Sequence, residues 1–239
     1  MNKTALITGS ARRIGRSMAN HLADRGWNIA IHYNTSGDEA MELCNELQAH
    51  YPAQHFYTFG ANLNETKEIE NLFPDVIKKF GSIHLLINNA SEYQPASVLE
   101  TTANFFDNQI NVHLKAPFIL TRDFARICGK GLIINMVDTR IITNNPKFAA
   151  YTLSKKALWE LTKMAAVEFG PEIRVNAMAP GLTLAPENKN ENYLLKLAER
   201  IPMKRPGGVE PILKSLDYII DNEYVTGQIL YCDGGENLI

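Results

Sequence analysis

Tyr151 and Lys155 lie four residues apart in a stretch, beginning near Ala149, whose pattern predicts a helix over 149–169. Residues four apart share one helix face. The spacing therefore lets a phenol and an ammonium enter a single cleft. A free tyrosine titrates near about 10 and holds its proton at neutral pH. A neighbouring ammonium favours the phenolate and lowers that value. The pair predicts a proton-exchanging centre, and a positioned acid–base group of this kind contributes on the order of 10² to 10⁴ in rate. The same spacing also occurs on plain surface helices, so the rest of the chain has to supply the site.

A second constellation follows the first predicted strand: Thr8-Gly9-Ser10-Ala11-Arg12-Arg13-Ile14-Gly15. Gly9 permits a tight turn, and Gly15 lets the next helix approach closely. The free N–H groups of that helix's first turn suit a pyrophosphate. Only two of the usual three glycines are present, but the position directly after a strand is the one a dinucleotide site requires. After the second predicted strand, a carboxylate would grip the ribose 2′-OH of NAD. Here the strand ends His32-Tyr33-Asn34-Thr35-Ser36, with Asp38 and Glu39 a little further on. Arg13, His32 and Ser36 could instead donate to a 2′-phosphate, for which the planar fork of Arg is well matched. The expected cofactor is NADP(H).

Short apolar runs alternate with amphipathic stretches to position these groups. Ala5–Ile7, Asn28–Tyr33, Phe56–Phe59, Ile83–Ile87, Leu132–Met136, Ile173–Ala177 and Gln228–Tyr231 read as strands. Helical patterns fall near 13–25, 37–50, 65–80, 101–128, 149–169, 190–200 and 209–221. That alternation predicts an α/β fold: one Rossmann-type, doubly wound parallel sheet of about seven strands, covered by helices on both faces. Residues 1–239 read as a single dinucleotide-binding catalytic domain, with a polar, Pro-rich loop from Pro180 to Lys189 and a substrate lid around 182–200.

Composition sets the outer bounds. The 239 residues are 45% hydrophobic and 21% charged, with a formal net charge of −2. Neither nucleic acid nor an anionic membrane is an expected partner. Cys44, Cys128 and Cys232 are scattered thiols without metal-ligand spacing, so no metal is expected and a reducing compartment fits. The opening residues lack a signal-peptide pattern and no segment has the length of a membrane span, so a cytoplasmic protein is expected.

Taken together, the motifs resemble the short-chain dehydrogenase/reductase family along nearly the whole chain. The matching pieces are Thr8-Gly9-x-x-x-Arg13-Ile14-Gly15, Asn88-Asn89-Ala90, Asn111, Tyr151-x-x-x-Lys155, Arg174-Val175-Asn176, Pro180-Gly181, Thr226-Gly227-Gln228 and Asp233-Gly234-Gly235. The resemblance implies that Asn89, Ala90 and Ser91 support the cofactor, that Asn111 helps hold a water chain to Lys155, and that Lys155 contacts the nicotinamide ribose. Pro180, Gly181, Leu182 and Thr183 would flank the nicotinamide. Asn62 and Leu63 would lie beside the adenine. Asn62 replaces the usual aspartate, and its amide oxygen can still accept a hydrogen bond. The resemblance also implies a homotetramer or homodimer, with the helices carrying Asn111 and Tyr151 at one interface.

One departure redirects the chemistry. The family has a serine thirteen residues before its tyrosine, where this chain has Asp138. An ionised carboxylate accepts hydrogen bonds but donates none, and it would repel a developing alkoxide. Simple ketone reduction is disfavoured unless Asp138 is protonated or Thr139 substitutes. A carboxyl group suits a nitrogen heterocycle that takes a proton on nitrogen while hydride reaches the adjacent carbon. This variation resembles the pteridine reductases. Arg12-Arg13-Ile14-Gly15, His32-Tyr33-x-x-Ser36, Asn89-Ala90-Ser91-x-Tyr93 and Pro180-Gly181-Leu182-Thr183 are similar to their corresponding stretches. The likeness implies a pterin held by Arg13, Ser91 and Tyr93, with Asp138 and Tyr151 relaying the proton. Candidate substrates are dihydrobiopterin or dihydromonapterin, with an oxidised pterin or dihydrofolate beside them. Two rivals stay open: a ketone reductase such as a 3-oxoacyl-thioester reductase, and an NADP(H)-binding regulatory protein with little turnover.

Overall fold

The computed structural model describes residues 2–186 and 191–239. Seven strands form one parallel sheet: β1 (Thr4–Ile7), β2 (Asn28–Tyr33), β3 (Phe56–Gly60), β4 (Leu85–Asn88), β5 (Gly131–Met136), β6 (Ile173–Pro180) and β7 (Ile229–Cys232). Their order is β3-β2-β1-β4-β5-β6-β7, the arrangement expected when each strand is followed by a helical crossover.

Alternation along the strands sorts the core into two layers. Ile7, Ile29, Ile31, Leu85, Ile87 and Ile134 face α1 (Arg13–Asp24), α2 (Gly37–His50) and α8 (Glu210–Asp221). Leu6, Ala30, Leu86, Ile133 and Val175 face α3 (Thr66–Phe80), α5 (Ala116–Cys128) and α6 (Ala149–Phe169). A strand buried on both faces is apolar at most positions, which explains the short Val/Ile/Leu runs.

One predicted element differs. The continuous helix expected over 101–128 is α4 (Ala103–Ile110), a π-turn at Asn111–Lys115, then α5. Pro117 sits in the first turn of α5 and has no N–H to return to the preceding turn. The helix widens just before it, and the Ala116 N–H reaches back to the Asn111 carbonyl. Such π-turns are frequent at functional sites. In the lid region, α7 spans Glu191–Ala198. Residues 187–190 of the expected loop lie outside the described residues.

Candidate active site

Strand order reverses across β1 and β4, and parallel sheets open a ligand crevice at the carboxyl ends of their strands there. A cleft of about 990 Å³ lies at this point, lined from the ends of β1, β2, β4, β5 and β6. It runs from Ser36 and Tyr33 at one end to Asp138, Tyr93 and Tyr193 at the other.

The Ser36 end is built from backbone. Gly9 holds a φ of +64°, and a Cβ there would meet the Ala90 Cα at 2.9 Å. A Cβ on Gly15 would come within 2.3 Å of the Gly9 carbonyl oxygen and 2.8 Å of the Asn89 amide nitrogen. The Asn89 side chain donates to the carbonyls of Thr8 (2.9 Å) and Gly9 (3.1 Å), while the Thr8 hydroxyl accepts from the N–H groups of Asn89 and Ala90. The first turn of α1 has no side-chain cap, so its N–H groups are open to an anion. A cradle whose two glycines leave no room for a side chain, under an uncapped helix, fits a dinucleotide pyrophosphate.

Two sequence expectations, those for His32 and Asn62, change here. His32 is no phosphate donor. Its ring is buried, accepting from the Gly9 N–H at Nδ1 (2.9 Å) and meeting the Ala61 carbonyl at Nε2 (3.0 Å), and burial pulls its pKa down to about 4. It ties the glycine turn to the end of β3. Arg13, in a left-handed conformation at φ 53°, donates to the Ala185 carbonyl (3.0 Å) in the loop after β6. Arg12 instead reaches Glu39 (3.6 Å) at the head of α2, beside Ser36. Asn62 does not line the cleft, although Leu63 does. Its amide oxygen accepts from the Asn64 N–H (3.0 Å) in a local turn.

The other end is built from side chains. The Tyr151 hydroxyl donates to Asp138 Oδ2 at 2.8 Å, while Asp138 Oδ1 accepts from the Arg140 N–H at 2.8 Å. The carboxyl at 138 thus sits within one hydrogen bond of the phenol at 151, in the same cleft. Lys155 is buried and donates to the Met136 carbonyl (2.7 Å). Burial pulls its ammonium down to about 8, with Asp138 opposing that shift. The expected lowering of Tyr151 is reversed: burial, then Asp138 through its charge and the hydrogen bond it accepts, raises the phenol well above its ordinary value. Asp138 outweighs Lys155 because the carboxylate accepts the phenol's hydrogen bond directly, whereas the ammonium faces the tyrosine ring at 5.9 Å. Tyr151 is therefore held protonated.

Tyr93 stands edge-on to Tyr151, with ring centroids 5.0 Å apart. Phe148, Arg140 and His113, which sequence reasoning passed over, and Asp233 of the tail motif surround this end. Phe148, just before α6, stacks on Tyr93 at 4.5 Å and an interplanar angle of 12°. Arg140 lies over both rings, donates to the Tyr93 hydroxyl (2.8 Å) and approaches Asp138 Oδ2 (3.7 Å). His113, buried on the π-turn, meets Ser91 and Ser154. Asp233 accepts a short hydrogen bond from the Thr139 hydroxyl, so Thr139 is committed and cannot replace the family serine. Arg140 and Phe148 flank named motif residues in sequence, but no periodicity marks them. Asn111 opens the π-turn packed against α6 and does not line the cleft. The remaining expected residues, among them Ile14, Asn34, Ala90, Ser91, Pro180, Gly181, Leu182 and Thr183, all do.

A family model described as enoyl-(acyl carrier protein) reductase matches residues 9–237. The chain belongs to the short-chain dehydrogenase/reductase family. Curated relatives include the 3-oxoacyl-[acyl-carrier-protein] reductase FabG of Staphylococcus epidermidis, 32% identical over 98% of this chain and 99% of that protein. Among solved structures, the FolM alternative dihydrofolate reductase 1 of Brucella canis, complexed with NADP, superposes with a TM-score of 0.92 at 34% identity, covering 100% of this chain and 95% of that one. Its counterpart from Brucella suis, also with NADP, gives 0.93 at 34% identity, covering 100% and 96%. As a short-chain dehydrogenase/reductase, the protein is an oxidoreductase. Among the described residues no helix is long and apolar enough to cross a membrane.

Proposed function

We propose that this oxidoreductase reduces the pyrazine ring of a pterin with NADPH, a dihydropterin first and dihydrofolate or an oxidised pterin beside it. The carrying observation is the 2.8 Å hydrogen bond from Tyr151 to Asp138, set in a cleft beside the Tyr93 ring. Bound NADPH supplies the hydride that reaches a ring carbon. Tyr151, which donates its hydrogen bond to Asp138, holds the proton and presents it to the adjacent ring nitrogen, with Asp138 placed to pass a replacement along the same hydrogen bond. An N–H bond forms as an O–H bond breaks, and solvent at the cleft mouth returns the proton. The buried Lys155 ammonium steadies the negative charge left on this pair. Tyr93 offers a flat face to the heterocycle, and offset stacking contributes roughly 0.5–1.5 kcal/mol beyond burial. Arg12 and Ser36 read the 2′-phosphate, and Arg13 joins the glycine turn to the loop after β6. The NADP-bound Brucella structures support both the cofactor and the substrate class.

The Staphylococcus relatives favour a second reading, reduction of a 3-oxoacyl thioester. It needs a second hydroxyl beside Tyr151 to donate to the carbonyl oxygen, and this site has a carboxylate at 138 and a committed hydroxyl at 139. The test is NADPH oxidation at 340 nm with dihydrobiopterin, dihydromonapterin, dihydrofolate and acetoacetyl thioester in parallel. Pterin turnover above thioester turnover is expected. Preference for the thioester, or no turnover of any pterin, would overturn the proposal.

A further inference from the structure

The catalytic chemistry leaves one buried, chemically versatile side chain unexplained. His113 lies on the π-turn between α4 and α5, about 1% exposed, with its ring edge-on to Tyr151 at 5.2 Å. Its two nitrogens face different parts of the site. Nε2 lies 3.0 Å from the Glu92 backbone nitrogen and 3.1 Å from the Ser91 hydroxyl. Nδ1 lies 3.1 Å from the Ser154 hydroxyl, which donates in turn to the Tyr151 carbonyl at 2.7 Å.

The tautomer follows from one of these partners. A backbone N–H is always a donor, so Nε2 must be the unprotonated, accepting nitrogen. In a neutral imidazole the proton then sits on Nδ1, directed at Ser154 and the Gln109 carbonyl one turn earlier. Burial and the nearby Lys155 ammonium both oppose a second proton. With Nε2 bare, the Ser91 hydroxyl can only donate to it. Its oxygen therefore offers acceptor lone pairs to the cleft, which suits an amino or ring N–H edge of a substrate.

We infer that His113, fixed as the neutral Nδ1–H tautomer, is a positioning residue that ties the loop bearing Ser91 and Tyr93 to the catalytic helix α6, so that the aromatic shelf and the Tyr151 phenol keep one mutual geometry. The π-turn is what makes this possible: widening the helix ahead of Pro117 brings a residue between the end of β4 and α6. Its effect on turnover rests on the reading that the 91–93 loop holds the substrate.

Wild-type protein tests the latch without any substrate. In the NADPH complex, ¹⁵N spectra of labelled histidine should show His113 protonated at Nδ1 and bare at Nε2, and the Glu92 amide should exchange slowly with solvent. A proton on Nε2, or a fast-exchanging Glu92 amide, overturns the inference. The variants separate its two arms. His113→Phe keeps a ring and loses the contacts to Ser91, Glu92 and Ser154; leaving a buried N–H unpaired should raise the substrate KM about 10-fold, with kcat and NADPH affinity within about threefold of wild type. His113→Gln, whose amide reaches the Nε2 position, should recover most of that loss. His113→Asn, which reaches only the Nδ1 position, should not. An unchanged KM in His113→Phe, or equal impairment of the Gln and Asn variants, overturns it too. A wild-type enzyme that reduces no pterin would instead defeat the substrate assignment, while the spectra and exchange still decide the role of His113.

Discussion

The two ends of the cleft are made of different material. At the Ser36 end, the glycine turn is main chain, held by two glycines and braced by Thr8, Asn89 and the buried His32 ring. At the Asp138 end, the site is a cluster of side chains from three separate segments: Tyr93, Asp138 with Arg140, and Phe148 with Tyr151 and Lys155. Backbone geometry is tolerant of side-chain identity except where a Cβ has no room. A side-chain cluster changes its chemistry with one residue, as Asp138 in place of serine does here. The difference explains how one family binds one kind of cofactor and reduces many kinds of substrate.

Substitutions at each end should break in different ways. Tyr151→Phe has the largest expected effect: turnover falls on the order of 10² to 10⁴ while NADPH affinity, read by fluorescence titration, is retained. Next, Asp138→Ser should lower pterin turnover by roughly 10- to 100-fold and lower any carbonyl activity less; equal losses on both substrates would remove the special role of the carboxylate. At the Ser36 end, Gly15→Ala forces a Cβ against the Gly9 carbonyl. It should cost roughly 1–3 kcal/mol of stability and weaken both NADPH and NADH, as melting curves and titrations would show. Arg12→Ala should weaken NADPH about 10-fold and leave NADH nearly unchanged; if Arg13→Ala has that signature instead, the assignment of the two arginines is reversed.

The smallest effect concerns the brace beneath the turn. His32 titrates near 6.5 when unfolded and about 4 when folded. The unfolded chain takes up the proton first, so this contribution to stability is complete above about 6.5 and declines as pH falls toward about 4, by at most ~1.4 kcal/mol per pH unit. His32→Gln should be less stable at neutral pH, with a shallower acid slope in denaturant titrations at pH 4.5, 5.5 and 7. An unchanged slope would show that the ring carries a proton in the folded protein.

Much of the fold was legible because it depends on local periodicity. All seven strands lie within a few residues of their apolar runs, and the five inner ones are apolar because they are buried on both faces. The helix over 101–128 was misread because a π-turn leaves almost no trace in side-chain pattern; Pro117 was the single available hint. At the site, Tyr151, Lys155 and Asp138 were legible as motif positions. The direction of the Tyr151 shift was not, because it depends on whether the carboxylate or the ammonium reaches the phenol oxygen. The role of His32 was not legible for a similar reason: donor capacity is a property of the residue, but who receives the hydrogen bond is a property of the neighbours.

The chain's own pattern thus determined the layers of the fold, the glycine turn and the chemical types at the relay, because periodicity, steric room and functional groups are local quantities. Only the folded chain decided that Arg140 and Phe148 frame the aromatic shelf, that Asp233 withdraws the Thr139 hydroxyl, and that His113 bridges two loops. Each of those contacts joins residues distant along the chain or turned toward one another by tertiary packing, and a pKa or a hydrogen-bond role exists only once such neighbours are in place.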